Sequence, residues 1–143
     1  MKKPKILGFY GESKSGKTTL ITKLIKSLSV DGLNVATVKI TYKRIELDVK
    51  GKDTWKHAIA GSNLVVLSSA SETDYLVKQK QTINDIIENI SNIGHFDIIL
   101  LEGANDKETP KIRLGNIKQR ANTVFTYDGD FKKLLEFVKN QKN

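Results

Sequence analysis

At 143 residues, with 24 Lys and Arg against 16 Asp and Glu and a net charge of +8, the chain is long enough for one domain with a proper core and short for two. It has no cysteine, which excludes disulfides and thiolate metal sites. No apolar run is long enough to span a bilayer, and the one behind Lys2, Lys3 and Lys5 is too short for a secretory signal, so a cytoplasmic location without a membrane partner is expected. The positive charge does not by itself imply nucleic acid: lysines are spread along the whole chain, arginine occurs only at positions 44, 113 and 120, and no basic stretch interleaves with aromatics as a stacking platform requires.

The first element is Lys5-Ile6-Leu7-Gly8-Phe9-Tyr10, a short apolar run bounded by polar residues, which reads as a buried strand. Residues 11 to 18 then fill every fixed position of G-x-x-x-x-G-K-[ST], and Leu20, Ile21, Leu24, Ile25 and Leu28 follow at helical spacing. Strand, Gly-rich turn and helix are the context that a phosphate-binding loop requires. Gly11 and Gly16 admit backbone dihedrals closed to other residues and leave no Cβ in the way, so successive N–H groups converge on a phosphate. The helix beginning near Lys17 adds its unpaired N–H groups and the positive end of its dipole. The predicted nucleotide contacts are therefore Gly11, Glu12, Ser13, Lys14, Ser15, Gly16, Lys17, Thr18 and Thr19. Lys17 is suited to span the β- and γ-oxygens, and the Thr18 hydroxyl to ligand Mg²⁺.

This first helix is expected to stop near Ser29 to Asp31, with Gly32 supplying the turn. Val35, Ala36, Val38 and Ile40 make a nearly continuous apolar strand, as in the interior of a parallel sheet. From Thr41 to Gly51 the residues alternate, with Ile45, Leu47 and Val49 on one face, which predicts a half-exposed strand or ribbon and an assembly surface for a homodimer. Gly51-Lys52-Asp53-Thr54 opens a short helix closed by Gly61, with Asp53 or Thr54 as its N-cap and Trp55 and Ile59 inward. Leu64-Val65-Val66-Leu67 reads as a buried strand and Tyr75-Leu76-Val77 as another short one. Ile83, Ile86, Ile87, Ile90 and Ile93 form a single helical stripe ending at Gly94.

Phe96-Asp97-Ile98-Ile99-Leu100-Leu101-Glu102-Gly103 has four apolar residues running into an acid and then Gly. That is the pattern of a Walker-B strand, whose carboxylate emerges beside the phosphate loop. Glu102 is thus the candidate catalytic carboxylate, holding Mg²⁺ through water or orienting an attacking water. A strand near Lys111 to Leu114, another at Thr123 to Tyr127, and a terminal amphipathic helix with Leu134, Leu135 and Val138 inward complete the chain. The predicted fold is a doubly wound, mostly parallel α/β phosphate-loop sheet with helices on both faces.

The ordered set GESKSGKTTLITKLI, GKDTWKHAIAG, FDIILLEG and then PKI at 110 to 112 resembles MobB, the molybdopterin-guanine dinucleotide biosynthesis adaptor family, across roughly residues 4 to 127. The resemblance implies a GTP-binding protein with weak, Mg²⁺-dependent GTPase activity. It also implies a MobA-type guanylyltransferase as partner, which joins GMP to molybdopterin, and a homodimer formed through extended strands. It carries the phosphate role to Gly11, Gly16, Lys17 and Thr18, the Walker-B role to Glu102, and the acid of G-K-D-[ST] to Asp53. The predicted metal set is then Thr18, Asp53 and Glu102.

Two departures stand out. The family's K-H-x-H segment after the second strand reads Lys39-Ile40-Thr41-Tyr42 here, and the two histidines, His57 and His95, lie elsewhere. No N-K-x-D element reads guanine, which leaves Asp128, after the last strand, as the candidate acceptor for guanine N1 and N2. A small-molecule kinase is one alternative, for which three scattered arginines and no lid insertion offer little; a nonhydrolysing, nucleotide-clamped interaction protein is another, because no Gln or Arg is identifiable as the group that positions water.

Overall fold

A computed structural model describes residues 2–141. The chain falls into two compact units, Met1–Thr41 with Ile87–Asn143, and Tyr42–Ile86.

The first unit is built on β1 (Lys5–Tyr10), β2 (Val35–Lys39), β5 (Ile98–Glu102), β6 (Lys111–Leu114) and β7 (Thr123–Tyr127), in the spatial order β2-β5-β1-β6-β7. Every pairing in that sheet is parallel. All the carboxyl ends therefore share one edge, and the phosphate loop leaves β1 at that edge. One face of the sheet presents Leu7, Phe9, Ile98, Leu100, Ile112 and Leu114. These pack against Leu20, Ile21, Leu24 and Leu28 of α1 (Lys17–Val30) and Leu134 and Val138 of α4 (Phe131–Asn140). Each such buried side chain contributes about 1.5–3 kcal/mol relative to exposure. The opposite face buries Ile99, Leu101 and Ala104, so β5 is covered on both sides, as its unbroken apolar run requires.

Helix α1 ends as expected. Gly32 takes φ 82°, Gly32 N–H donates to the Ser29 carbonyl and Leu33 N–H to the Leu28 carbonyl, so the last carbonyls are capped. Strand β2 corrects the sequence reading: it pairs only with β5 and is an edge strand, half-buried at best. Its apolar residues are covered from the sheet's faces rather than by a second neighbouring strand.

The second unit holds α2 (Asp53–Ile59) and a two-stranded antiparallel sheet of β3 (Leu64–Ser68) and β4 (Thr73–Val77). The predicted strand over 41–51 is absent. Its alternation finds no partner strand among the described residues, and Ile45, Leu47 and Val49 are 58, 90 and 59% exposed. The segment is instead tied by Asp48, whose carboxylate accepts from the Val49 N–H and the Thr54 hydroxyl. Lys52, not Asp53 or Thr54, stands at the N-cap of α2 and makes no side-chain cap. Ile59 is 68% exposed, not inward, and β3 buries only Val65. Helix α3 (Ile83–Ile93) opens with a reciprocal cap in which Asp85 N–H donates to the Thr82 hydroxyl oxygen and Thr82 N–H to the Asp85 carboxylate.

Candidate functional site

The loop joining β1 to α1 has the geometry of an anion cup. Gly16 stands before α1 at φ 88° in the left-handed region, with no side-chain cap, which leaves the first N–H groups of the helix free for a ligand. Lys14 also takes a positive φ, 63°. Of the two reasons that the sequence offers for Gly11, the missing Cβ is the one that applies. Gly11 has no positive φ among those recorded; a Cβ there would instead meet Ser15 Oγ at 2.9 Å and Leu114 Cβ at 3.0 Å. Close approach, not dihedral freedom, excludes a larger residue. Ser15 N–H donates to the Glu12 carbonyl at 3.1 Å and closes the turn. Lys17 is half-buried, with Nζ donating to the Gly11 carbonyl at 3.0 Å, so the ammonium is held over the cup. Glu12, Ser13, Ser15, Thr18 and Thr19 line its exposed side.

Glu102 closes the far side. It ends β5, directly beside β1, and its Oε1 lies 3.4 Å from the Thr18 hydroxyl. Those two oxygens are the ones expected to meet Mg²⁺, a hard cation that also keeps several waters and takes phosphate oxygens. The backbone holds this pair from two directions: Ile40 N–H donates to the Glu102 carbonyl and Gly103 N–H to the Phe9 carbonyl, each at 2.8 Å. Gly103 sits at φ 94°, and a Cβ there would come within 2.5 Å of the Ile40 carbonyl oxygen. The Gly after the acid is therefore dictated by both dihedral and contact.

A second group of residues, which sequence reasoning did not assign, fixes the segment after Gly103. Lys111 is fully buried. Its ammonium donates to the carbonyls of Asp106, Thr109 at 2.9 Å and Ala121 at 2.7 Å, and lies 3.9 Å from the Asp106 carboxylate. Burial opposes charge on Asp106, yet the Thr109 N–H and hydroxyl, together with Lys111, hold its carboxyl below the usual carboxylate range. Arg120 donates to the Ala104 carbonyl at 2.9 Å and stacks over Tyr10, whose hydroxyl accepts from Arg120 N–H. Gly8 N–H donates to the Pro110 carbonyl. P-K-I is thus an anchor for the loop behind the Walker-B acid, and the lone Lys in an apolar strand was the signal that pointed to it.

Of the remaining predicted residues, Asp128 follows β7 at the same sheet edge. The Asp130 N–H, donating to its Oδ1 at 3.0 Å, is the main reason its carboxyl lies below the usual range, and Lys133 Nζ stands 3.8 Å away. Asp53 is the first residue of α2 in the second unit and is exposed. His57 is exposed on the same helix, and His95 lies 3.9 Å from Asp97. The structure therefore brings Lys17, Thr18 and Glu102 together, and no helix among the described residues is long and apolar enough to cross a membrane.

A family model described as molybdopterin guanine dinucleotide synthesis protein B matches residues 6–139. The molybdopterin-guanine dinucleotide biosynthesis adapter protein of Haemophilus influenzae is 32% identical over 110 residues, which is 76% of this chain and 62% of that protein. The adapter protein of Escherichia coli is 28% identical over 112 residues, 76% of this chain and 64% of its own length. The chain thus spans under two thirds of these curated relatives. The crystal structure of Bacillus subtilis MobB superposes with a TM-score of 0.75 at 19% identity, covering 97% of this chain and 98% of that one. At that identity the likeness speaks to the fold alone.

Proposed function

This chain belongs to the molybdopterin guanine dinucleotide synthesis protein B (MobB) family, and on that premise we propose that it is a GTP-binding adapter in molybdopterin guanine dinucleotide biosynthesis. The observation that carries the nucleotide part is the Thr18–Glu102 approach of 3.4 Å at the mouth of the phosphate loop. A hydroxyl and a carboxylate converge where a phosphate-bound Mg²⁺ would stand, with Lys17 on the other side of the cup. In this reading the loop N–H groups of residues 12 to 19 hold the phosphates, and Thr18 and Glu102 would hold Mg²⁺, which would supply charge neutralisation there. Glu102 orients a water for slow hydrolysis. Asp128 accepts from guanine through the oxygen that its own turn does not use. The partner is a MobA-type guanylyltransferase acting on molybdopterin.

The second unit supports a homodimer. Its exposed apolar side chains, with Leu47 90% exposed, Ile59 68% and Tyr75 59%, are more than a solvated surface needs, and a second copy covers them symmetrically.

Calorimetric titration with GTP, ATP and GDP, with and without Mg²⁺, tests the nucleotide reading. GTP should bind more tightly than ATP and more tightly with Mg²⁺. Lys17→Ala should lose about a hundredfold in affinity or more, as for removal of a charged partner of a phosphate, with an unchanged melting temperature. Equal affinity in wild type and Lys17→Ala would defeat the assignment.

A further inference from the structure

Along the outer side of α1 runs an open groove of about 180 Å³, smaller than the site of a drug-sized ligand and with room for a fragment only. It begins at Thr18 and Glu102 and continues past Thr22 and Ile25 on the helix and Thr37 and Lys39 on β2. Thr18, Thr22 and Ile25 stand at i, i+4 and i+7, so they share one face of α1 and extend it about 10 Å beyond the metal end. On the strand side, Lys39 is in register with Glu102 and Thr37 with Leu100, so the Lys39 and Glu102 side chains leave the sheet side by side on the same face. The groove lies between α1 and β2, the edge strand of the sheet.

Three features distinguish this groove from an uncovered seam of core. Its walls carry hydroxyls at Thr22 and Thr37, while Ile25 gives it an apolar stretch. The Lys39 side chain makes no hydrogen bond or ion pair among the described residues, although Glu102 is its direct neighbour across the strand pair. With a divalent cation on Thr18 and Glu102, the Lys39 ammonium adds another positive charge on the metal's outer side, a repulsion that an anion placed there relieves. A nucleotide held by the β1–α1 loop lies two strand spacings from β2, roughly 10 Å, and its phosphate chain ends over Thr18. The anion at Lys39 therefore belongs to another molecule.

We propose that this groove is a second ligand site, taking a small phosphate monoester whose phosphate sits on Lys39 Nζ. The body of the ligand lies on Ile25, with its polar groups on Thr22 and Thr37. The proposal depends on the nucleotide reading above only for what occupies the phosphate loop; the groove can be probed with or without nucleotide. The test is a titration of phenyl phosphate, and separately of inorganic phosphate, into ¹⁵N-labelled protein, free and loaded with GDP and Mg²⁺. The expected result is saturable shifts of the Thr22, Thr37 and Lys39 amides in both states, with phenyl phosphate binding more tightly than inorganic phosphate. Lys39→Gln should weaken phenyl phosphate by about tenfold or more, as for loss of a charged partner, and leave GDP affinity unchanged. Thr37→Val, which suits an edge strand and keeps the charge, should weaken it less. Shifts confined to Gly16, Lys17 and Thr18, no saturable shift, or equal phenyl phosphate affinity in Lys39→Gln would overturn the site. So would a Lys39→Gln variant that loses GTP but not GDP, because Lys39 would then hold the nucleotide's own terminal phosphate. Failure of GDP to bind while the groove shifts persist would remove the nucleotide reading and leave this one standing.

Discussion

The two units of the chain treat apolar surface in opposite ways. In the first, Leu7, Phe9, Leu24, Leu28, Ile99, Leu101, Ile112, Leu134 and Val138 are all fully buried, and the one cation in that interior, Lys111, is matched by three carbonyls and a carboxylate. In the second, Val65 alone is a buried hydrophobic, while Ile45, Leu47, Val49, Ile59, Leu64, Val66 and Tyr75 are each at least 46% exposed. A parallel sheet covered on its faces satisfies itself, whereas a two-stranded sheet with one short helix has neither the area nor the cover to do so. The first unit therefore holds its interior side chains in fixed packing, whereas the second leaves most of its apolar side chains exposed.

The largest effect expected from breaking this contrast is at Lys111. Lys111→Met removes the cation and leaves the Asp106 carboxylate and three carbonyls short of a donor, which should cost about 3–5 kcal/mol, the range for breaking a buried charge pair from one side. Urea unfolding measures it. The pH dependence supplies a check of sign. The Asp106 carboxyl is held below its ordinary value in the folded state, so its contribution is present above the unfolded value and lost as pH falls through the folded one. Wild type should therefore lose more stability on acidification than Lys111→Met.

Glu102 comes next and separates chemistry from fold within the first unit. Glu102→Gln keeps the shape and the capacity to face Thr18 but removes the charge that holds metal and orients water. Hydrolysis should fall roughly ten- to a thousandfold, with GTP affinity largely kept and the urea midpoint unmoved. Loss of affinity equal to the loss of rate would mean that Glu102 binds rather than positions.

Leu47 tests the second unit. Leu47→Asp introduces a charge into the proposed dimer surface and should raise the dimer dissociation constant by about thirtyfold, near 2 kcal/mol, the scale of one buried leucine. Folding of the first unit and GTP binding should be unchanged. Because residues 41–51 form no strand, the test acts on the side chain and not on a backbone ladder. Light scattering at tens of micromolar reads the result, and a wild-type monomer at that concentration would refute the dimer.

How much of this was readable beforehand divides along the same line. Strand, phosphate loop, helix and Walker-B strand were legible because each is a local pattern backed by the core: Leu20, Ile21, Leu24 and Leu28 recur at helical spacing, and Ile98 to Leu101 run unbroken. Between Tyr42 and Val77 the elements α2, β3 and β4 were legible too, but the segment 41–51 was not, because alternation at Ile45, Leu47 and Val49 states a preference for a pleated, half-buried surface without saying that a partner strand exists. Ile59, read as inward from its i, i+4 spacing with Trp55, and Leu64, from its continuous apolar run, are exposed because neither pattern says what covers it. In the site, Gly16 was legible from the motif, but the role of Lys111 was not, since a lysine between Pro110 and Ile112 reveals its burial only when Asp106, Thr109 and Ala121 are brought around it. At Gly11 the sequence reading was right that a Cβ has no room, which Ser15 and Leu114 occupy, and wrong about a special dihedral.

The smallest effect is expected at Asp53. As the first residue of α2, an acid is favoured by the helix dipole, and losing it costs about 0.3–1 kcal/mol wherever the helix stands. That helix has only seven residues and an N-cap without a side-chain hydrogen bond, so the dipole effect is the full extent of a structural role. A metal role makes a different demand: Asp53→Asn should raise the Mg²⁺ concentration needed for GTP binding by about tenfold, near 1.4 kcal/mol, and leave binding in chelator untouched. The family resemblance calls for the second pattern, while the acid itself stands exposed at the first position of α2. GTP titrations across a Mg²⁺ series, paired with a thermal melt of the same variant, separate the two. A small drop in melting temperature with an unchanged Mg²⁺ series would leave Asp53 as a helix-terminal charge and confine the metal set to Thr18 and Glu102.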